Sequence, residues 1–211
     1  MEQITVNRQS SIRISAGSTV YFDPWEVHGH AADADVIFIT HDHYDHFSPE
    51  DVRRLRKDDT VIVAPSAMVS QVNREVGGNV FAVEPGREYS ANGIAFTTVP
   101  AYNRNKDFHP KGKGWCGYVV TLGEQRYYVV GDSDATQEAA AVQCDVLLLP
   151  VGGRYTMDVK EAAELTAKIK PSTVVPTHYG DIVGENSFGR TFAALVNEKA
   201  PDTKAELLLH K

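Results

Sequence analysis

Two stretches of this chain leave no strand face for water: Asp-Val-Ile-Phe-Ile-Thr from Asp35 to Thr40, and Asp-Val-Leu-Leu-Leu from Asp145 to Leu149. Side chains alternate across a strand, so a strand with one solvated face carries a polar residue at every second position. These runs do not. They predict strands buried on both faces, in sheets that have covering layers on both sides.

The surrounding sequence supplies those layers. Short β-like runs begin at Ile4, Ser11 and Thr19, before the first buried strand. Ser48-Pro49-Glu50-Asp51 is a helix start, with Ser as cap, Pro at the first helical position and acids in the first turn; the helix is expected to run through Arg56. Further strands are predicted at Thr60–Ala64, Asn79–Val83 and Ile94–Val99, the last entered through an Asn92-Gly93 turn. Trp115–Leu122 and Gln125–Val130 read as a hairpin around Gly123. Helices are expected at Ser66–Val76, at Ala135–Val142 with Asp134 as cap, at Asp158–Lys170 and at Ser187–Lys199. Ser172–Val175 and Glu206–Leu209 read as the last strands. With no linker, repeat or low-complexity tract, residues 1–211 are expected to form one α/β domain with mixed sheets.

Charge and composition narrow the function. A net charge of −7 discourages a nucleic-acid partner, and no apolar run is long enough to insert in a membrane. The start, Met-Glu-Gln-Ile-Thr-Val-Asn-Arg, has no signal-peptide pattern. Two isolated cysteines, Cys116 and Cys144, suit a reducing cytoplasm, so the expected location is cytoplasmic. Arg104, Lys106, Lys111 and Lys113 form a local basic cluster that either receives a small anionic molecule or keeps a loop solvated.

The chemistry lies directly behind the first buried run, in Thr-His-Asp-His-Tyr-Asp-His-Phe, Thr40 to Phe47. In an extended segment His41 and His43 point the same way, Asp45 continues that face, and His46 follows where the chain turns. Such a His-x-His-x-Asp-His arrangement arises by chance on the order of once in a thousand. Imidazole with carboxylate suits zinc, manganese or iron, and the nitrogen share favours zinc. Completing ligands must come from other strand ends. His109 after the Ile94 strand, Asp132 in Gly-Asp-Ser-Asp and His178 in Pro-Thr-His-Tyr-Gly-Asp occupy such positions.

These residues, with Val-Pro-Ala-Tyr-Asn, His-Pro-Lys-Gly-Lys-Gly-Trp-Cys-Gly-Tyr and Gly-Gly-Arg-Tyr-Thr-Met-Asp, resemble the metallo-β-lactamase-fold hydrolases. The branch they resemble includes ascorbate-6-phosphate lactonase-like and N-acyl-phosphatidylethanolamine phospholipase D-like enzymes. The resemblance implies a four-layer αββα sandwich of two mixed sheets flanked by helices. It also implies two divalent ions, zinc first, with Mn²⁺ or Fe²⁺ as substitutes. His41, His43 and His109 would hold one, Asp45, His46 and His178 the other, with Asp132 bridging. A hydroxide between the metals would then cut an ester, lactone, amide or phosphodiester bond, with Asp45 collecting its proton. Asp23 in Tyr-Phe-Asp-Pro-Trp would orient a ligand histidine, or simply start a turn.

Tyr102, Asn103 and Lys106, in the loop of His109, are candidate contacts to a small anionic substrate. Arg154 and Tyr155 behind two glycines, and Tyr179 beside His178, are candidates for the same pocket. His28 and His30 read as pocket mouth or solvated loop, and His210 as inert. Homo-oligomerisation is compatible with the sequence. The competing reading is a metal-binding protein of the same fold without turnover, as sensor or structural subunit.

Overall fold

The computed structural model describes residues 3–29 and 31–209. Among the described residues, thirteen strands form two sheets. β1 (Gln3–Val6), β2 (Ile12–Ala16), β3 (Ser18–Phe22), β4 (Ala34–Phe38), β5 (Arg56–Pro65) and β6 (Asn79–Val83) lie in chain order in the first. The second contains β7 (Glu88–Ala91), β8 (Ile94–Pro100), β9 (Cys116–Leu122), β10 (Gln125–Val129), β11 (Val146–Pro150), β12 (Thr173–Thr177) and β13 (Lys204–Ala205). Both sheets are mixed: β1–β2–β3 and β7–β8–β9–β10 pair antiparallel, while β3–β4, joined by a loop, and the strands joined through helices pair parallel.

The two apolar runs behave as their composition requires. In β4, Val36 and Phe38 enter the core between the sheets, while Ile37 packs outward under α1 (Pro49–Leu55) and α2 (Val69–Glu75). In β11, Val146 and Leu148 face the inter-sheet core, and Leu147 and Leu149 face α3 (Gln137–Ala140), α4 (Val159–Ile169) and α5 (Phe188–Lys199). The architecture is therefore the αββα sandwich. Local signals hold where the chemistry is local. Ser48 accepts a hydrogen bond from Asp51 N at the start of α1, and Asp158 caps α4 by accepting from Lys160 N and Glu161 N. Asn92 and Gly93 both adopt left-handed φ, 46° and 76°, the geometry a two-residue hairpin turn needs.

Four expectations are corrected. Helix α3 is four residues long and is capped by Thr136, not Asp134, whose carboxylate instead accepts from Asn103, Arg104 N and Lys106. The last strand is Lys204–Ala205; Leu208 and Leu209 leave the sheet and cover the end of the inter-sheet core, with Leu209 bridging to Val6. The segment Ser66–Met68 is a 3₁₀ turn that precedes α2. Finally, α1 ends at Leu55, and Arg56 already begins β5.

The C-terminal ends of β3, β4, β8, β10 and β12 reach one rim of the sandwich. There the sheets are tied together: Tyr118 Oη donates to Ile39 O at 2.6 Å, and Cys116 N to Thr40 O at 3.3 Å. No helix among the described residues is long and apolar enough to cross a membrane.

Candidate metal centre

The segment from His41 to Phe47 is not extended. After β4 the chain folds into a turn in which His46 N and Phe47 N both donate to His43 O, at 3.0 and 2.9 Å. That turn, rather than strand alternation, puts His41, His43, Asp45 and His46 side by side, with ring centres of His41 4.6 Å from His43 and 4.0 Å from His46. His109 arrives from the loop after β8, Asp132 from beyond β10 and His178 from the end of β12. Two groups of three ligand atoms result, each mutually within 4.8 Å: His41, His43 and His109, and Asp45, His46 and His178. Asp132 stands between them. Its Oδ2 lies 3.3 Å from His109 Nε2 and 3.4 Å from His178 Nε2, and its Oδ1 lies 3.4 Å from His46 Nε2. His41, His46 and Asp23 form a third close group.

Each of three imidazoles is held by its far nitrogen. Thr40 Oγ1 gives its only proton to Asp23 Oδ2 at 2.6 Å, so at 2.8 Å it can only accept from His41 Nδ1–H. His46 Nδ1 donates to Asp23 Oδ2 at 2.7 Å, and His109 Nδ1 to Asn103 Oδ1 at 3.0 Å. These hydrogen bonds aim Nε2 of His41, His46 and His109 at the centre, where the buried atoms have no hydrogen-bond partner. Asp132 Oδ1 is likewise buried and unpartnered, while His178 turns its Nε2 to the centre, 3.2 Å from Asp45 and 3.4 Å from Asp132. Buried polar atoms without partners are costly in a folded protein, and a cation among them removes that cost. The donor set fits divalent transition metals.

The electrostatics match. Burial, then the charge of His46, holds the His41 imidazole well below its usual range; burial and the neighbouring imidazoles lower His43 as well. Burial would raise the Asp132 carboxyl, yet the charges of His178 and His46 outweigh it and keep the group well below the usual carboxylate range. Burial alone would depress His46, but Asp132 and Asp23 reverse this and hold it well above its ordinary value. Asp45, opposed by burial but favoured by the His178 hydrogen bond at 3.2 Å, is also lowered. Burial raises Asp23.

Asp23 is the hub. Fully buried and with a left-handed φ of 45°, it accepts from Thr40 N, Thr40 Oγ1 and His46 Nδ1. Asp23→Asn is expected to weaken binding of the metal that His46 would hold by about 10- to 100-fold, the usual effect of losing such a support. Titration of the metal-stripped variant with Zn²⁺ checks this.

Gly152 has a related role. A Cβ there would collide with His178 O and lie 2.8 Å from Val183 Cγ2. Gly152 thus lets the His178 backbone approach the segment that follows β11. Gly152→Ala is expected to lower stability by about 1–3 kcal/mol and to loosen His178. Thermal unfolding together with metal titration would show both effects.

A cavity of about 420 Å³ opens over the centre, lined by His43, Asp45, His109 and Asp132 and by Asp42, Tyr44, Phe108, Tyr155, Ile182 and Val183. Of the six residues predicted to contact substrate, Tyr155 lines it. Asn103 supports His109 through both its side-chain oxygen contacts, while its Nδ2 donates to Asp134 and to Tyr155 O. Tyr102 Oη donates to Glu138, and Lys106 pairs with Asp134. The Arg154 guanidinium lies 5.2 Å from the Tyr155 ring centre. Tyr179 packs against Gly189 of α5 and lines a second cavity, of about 540 Å³, with Arg8, Gln9, Glu26 and His28. His30 and His210 lie outside the described residues.

Several participants were not anticipated from sequence. Thr40, directly before His41, had a signal in its position. Trp115, whose ring centre is 5.1 Å from that of His41 and 5.2 Å from that of His43, had none beyond its place in the hairpin. Phe108 and Ile182 come from loops whose course the sequence does not reveal.

This chain belongs to the metallo-β-lactamase superfamily of metal-dependent hydrolases, the β-lactamase superfamily domain matching it over residues 3–178. Within that superfamily its relatives include a UPF0173 metal-dependent hydrolase of Thermococcus onnurineus, 32% identical over 176 residues that span 80% of this chain and 77% of that one. Among solved structures, a Parabacteroides distasonis protein assigned as a metal-dependent hydrolase superposes with a TM-score of 0.80 at 26% identity, over 99% of this chain and 94% of that one. Igni18, a metallo hydrolase from Ignicoccus hospitalis, shares the fold with a TM-score of 0.78 at 23% identity, over 98% and 94%.

Proposed function

We propose that this protein is a two-metal hydrolase that opens an ester, lactone or phosphodiester bond in a small molecule. The observation that carries the proposal is the pair of three-ligand groups with the Asp132 carboxylate between them. His41, His43 and His109 would hold one ion and Asp45, His46 and His178 the other, with zinc favoured by the nitrogen-rich set over manganese or iron. When bound, such a pair acidifies a water toward neutral pH and polarises the bond under attack.

The chain's own groups do the rest. Thr40, Asp23 and Asn103 fix the imidazoles, and Trp115 packs against them. Asp45 lines the cavity and is ionised, so it can accept the proton released by the attacking water. The small-molecule substrate enters between Phe108, Tyr155 and Ile182. A reducing compartment, the cytoplasm, suits the free thiols of Cys116 and Cys144, both pushed up to about 12 by burial. The acidic net charge supports a protein without a nucleic-acid partner.

Elemental analysis after reconstitution tests the metal count, with close to two ions per chain expected. A hydrolysis screen over lactones, phosphodiesters, thioesters and β-lactams tests turnover, with Asp45→Ala as the control. Two metals with wild type and variant equally inert on every class would instead favour a sensor or structural metal protein.

A further inference from the structure

We infer that the bond opened at this site lies next to an uncharged apolar group of the substrate, an aliphatic chain or aryl ring, seated against Tyr44, Phe108, Tyr155 and Ile182. This rests on the hydrolase reading above and adds the substrate class. Among the described residues four large apolar side chains are well exposed, and three of them, Tyr44 at 66%, Phe108 at 46% and Ile182 at 41%, line the metal cavity. Such clustering of exposed apolar surface marks a binding site, whereas single exposed residues are ordinary. The walls are braced: Phe108 meets Tyr155 edge-on with ring centres 4.6 Å apart, and Tyr44 meets Trp25 edge-on at 6.0 Å. Apolar and aromatic walls around a few polar groups are the usual make-up of a small-molecule pocket.

Charge points the same way. Besides the proposed metal ligands, the one charged group of the lining is the carboxylate of Asp42, and the lining holds neither lysine nor arginine. Three of the four loop cations expected to receive an anion are engaged elsewhere, Arg104 with Glu161, Lys106 with Asp134 and Lys111 with Glu138, and Lys113 lies 5.6 Å from the Trp115 ring centre, outside the lining. Asp42, exposed and part of the lining, disfavours a negative substituent beside the reacting bond. An apolar substituent instead covers the aromatic rim.

The test compares p-nitrophenyl acetate, butyrate and hexanoate with the anionic hemisuccinate ester, using the metal-loaded protein. In parallel, calorimetry measures acetohydroxamate and benzohydroxamate binding to the same protein. Each methylene taken out of water favours the longer ester about fourfold, so kcat/KM is expected to rise about fifteenfold over the two methylenes from acetate to butyrate. It is expected to fall by about tenfold or more from butyrate to hemisuccinate, and benzohydroxamate is expected to bind about tenfold more tightly than acetohydroxamate. In Phe108→Ala and Ile182→Ala these ratios should shrink severalfold. A flat ester series together with equal binding of the two hydroxamates overturns the inference. So does a preference for hemisuccinate that Arg154→Ala removes. If no ester is cleaved, the hydroxamates decide. A benzohydroxamate preference lost in Phe108→Ala keeps the apolar site while the hydrolase reading falls, and equal binding removes the inference even in an active enzyme.

Discussion

Asp132→Ala is expected to lose at least one metal per chain and about a thousandfold or more in kcat/KM. Its carboxylate is 4% exposed and lies within 3.4 Å of His46, His109 and His178, one contact in the first ligand group and two in the second. No other residue touches both groups in this way among the contacts of the described centre. Metal assistance contributes several kcal/mol to such reactions, and each 1.36 kcal/mol is a factor of ten in rate. Removing one partner from a buried charge cluster also destabilises by about 3–5 kcal/mol, so the folded state must be confirmed. Asp132→Asn keeps the volume without the charge and separates the two effects. Full metal content together with kcat/KM within tenfold of wild type would exclude a bridging role for Asp132.

Stripping the metals is expected to lower Tm by about 8–16 °C. Four side-chain atoms of the proposed ligands that face the centre are buried without a hydrogen-bond partner: Nε2 of His41, His46 and His109, and Oδ1 of Asp132. A ligand at a thousand times its Kd stabilises by about 4.1 kcal/mol, and in a domain of this size each kcal/mol moves Tm by about 2–4 °C. The stripped protein should also show its own pH dependence. Held between Asp23 and Asp132, His46 titrates well above its ordinary value of 6.5. Its contribution is fully present below 6.5 and is lost as pH rises through the folded value. The lowered values of His41 and His43 act below 6.5, and that of Asp132 acts in the acid range, so none of them alters this window. The stripped protein should therefore melt lower at pH 9 than at pH 7. Metal affinity should rise over the same range, because the proton on His46 must leave before Nε2 can bind. Scanning calorimetry with and without chelator at both pH values checks the signs; equal Tm with and without chelator would contradict the two-ion centre.

Much of this was legible in the sequence because it depends on short-range rules. Strands apolar at consecutive positions need cover on both faces, and Val36, Ile37 and Phe38 in β4 divide between two cores accordingly. Caps at Ser48 and Asp158 and the Asn92-Gly93 turn are decided within three or four residues. Asp134 shows where that logic stops. It has the residue type of a cap, but Asn103, Arg104 N and Lys106 from a loop some thirty residues away claim its oxygens, and Thr136 takes the cap instead. The charged loop is a parallel case. Composition presented Lys106 as a free cation, and only the fold revealed its acidic partner.

The sequence by itself determined the layered architecture, the imidazole and carboxylate inventory, and the strand ends on which those groups sit. Periodicity and ligand chemistry are properties of neighbouring residues, and they are present in the unfolded chain. Tertiary structure alone decided the grouping into two sets of three, because His109, Asp132 and His178 meet the turn of residues 41–46 only when both sheets close on one rim. It also decided which nitrogen of each histidine faces the centre, since Thr40, Asp23 and Asn103 make that choice through hydrogen bonds. The aromatic rim of Tyr44, Phe108 and Tyr155 belongs to the same class of fact. Its members come from three loops, and nothing in the sequence orders those loops around one opening until the scaffold beneath them is packed.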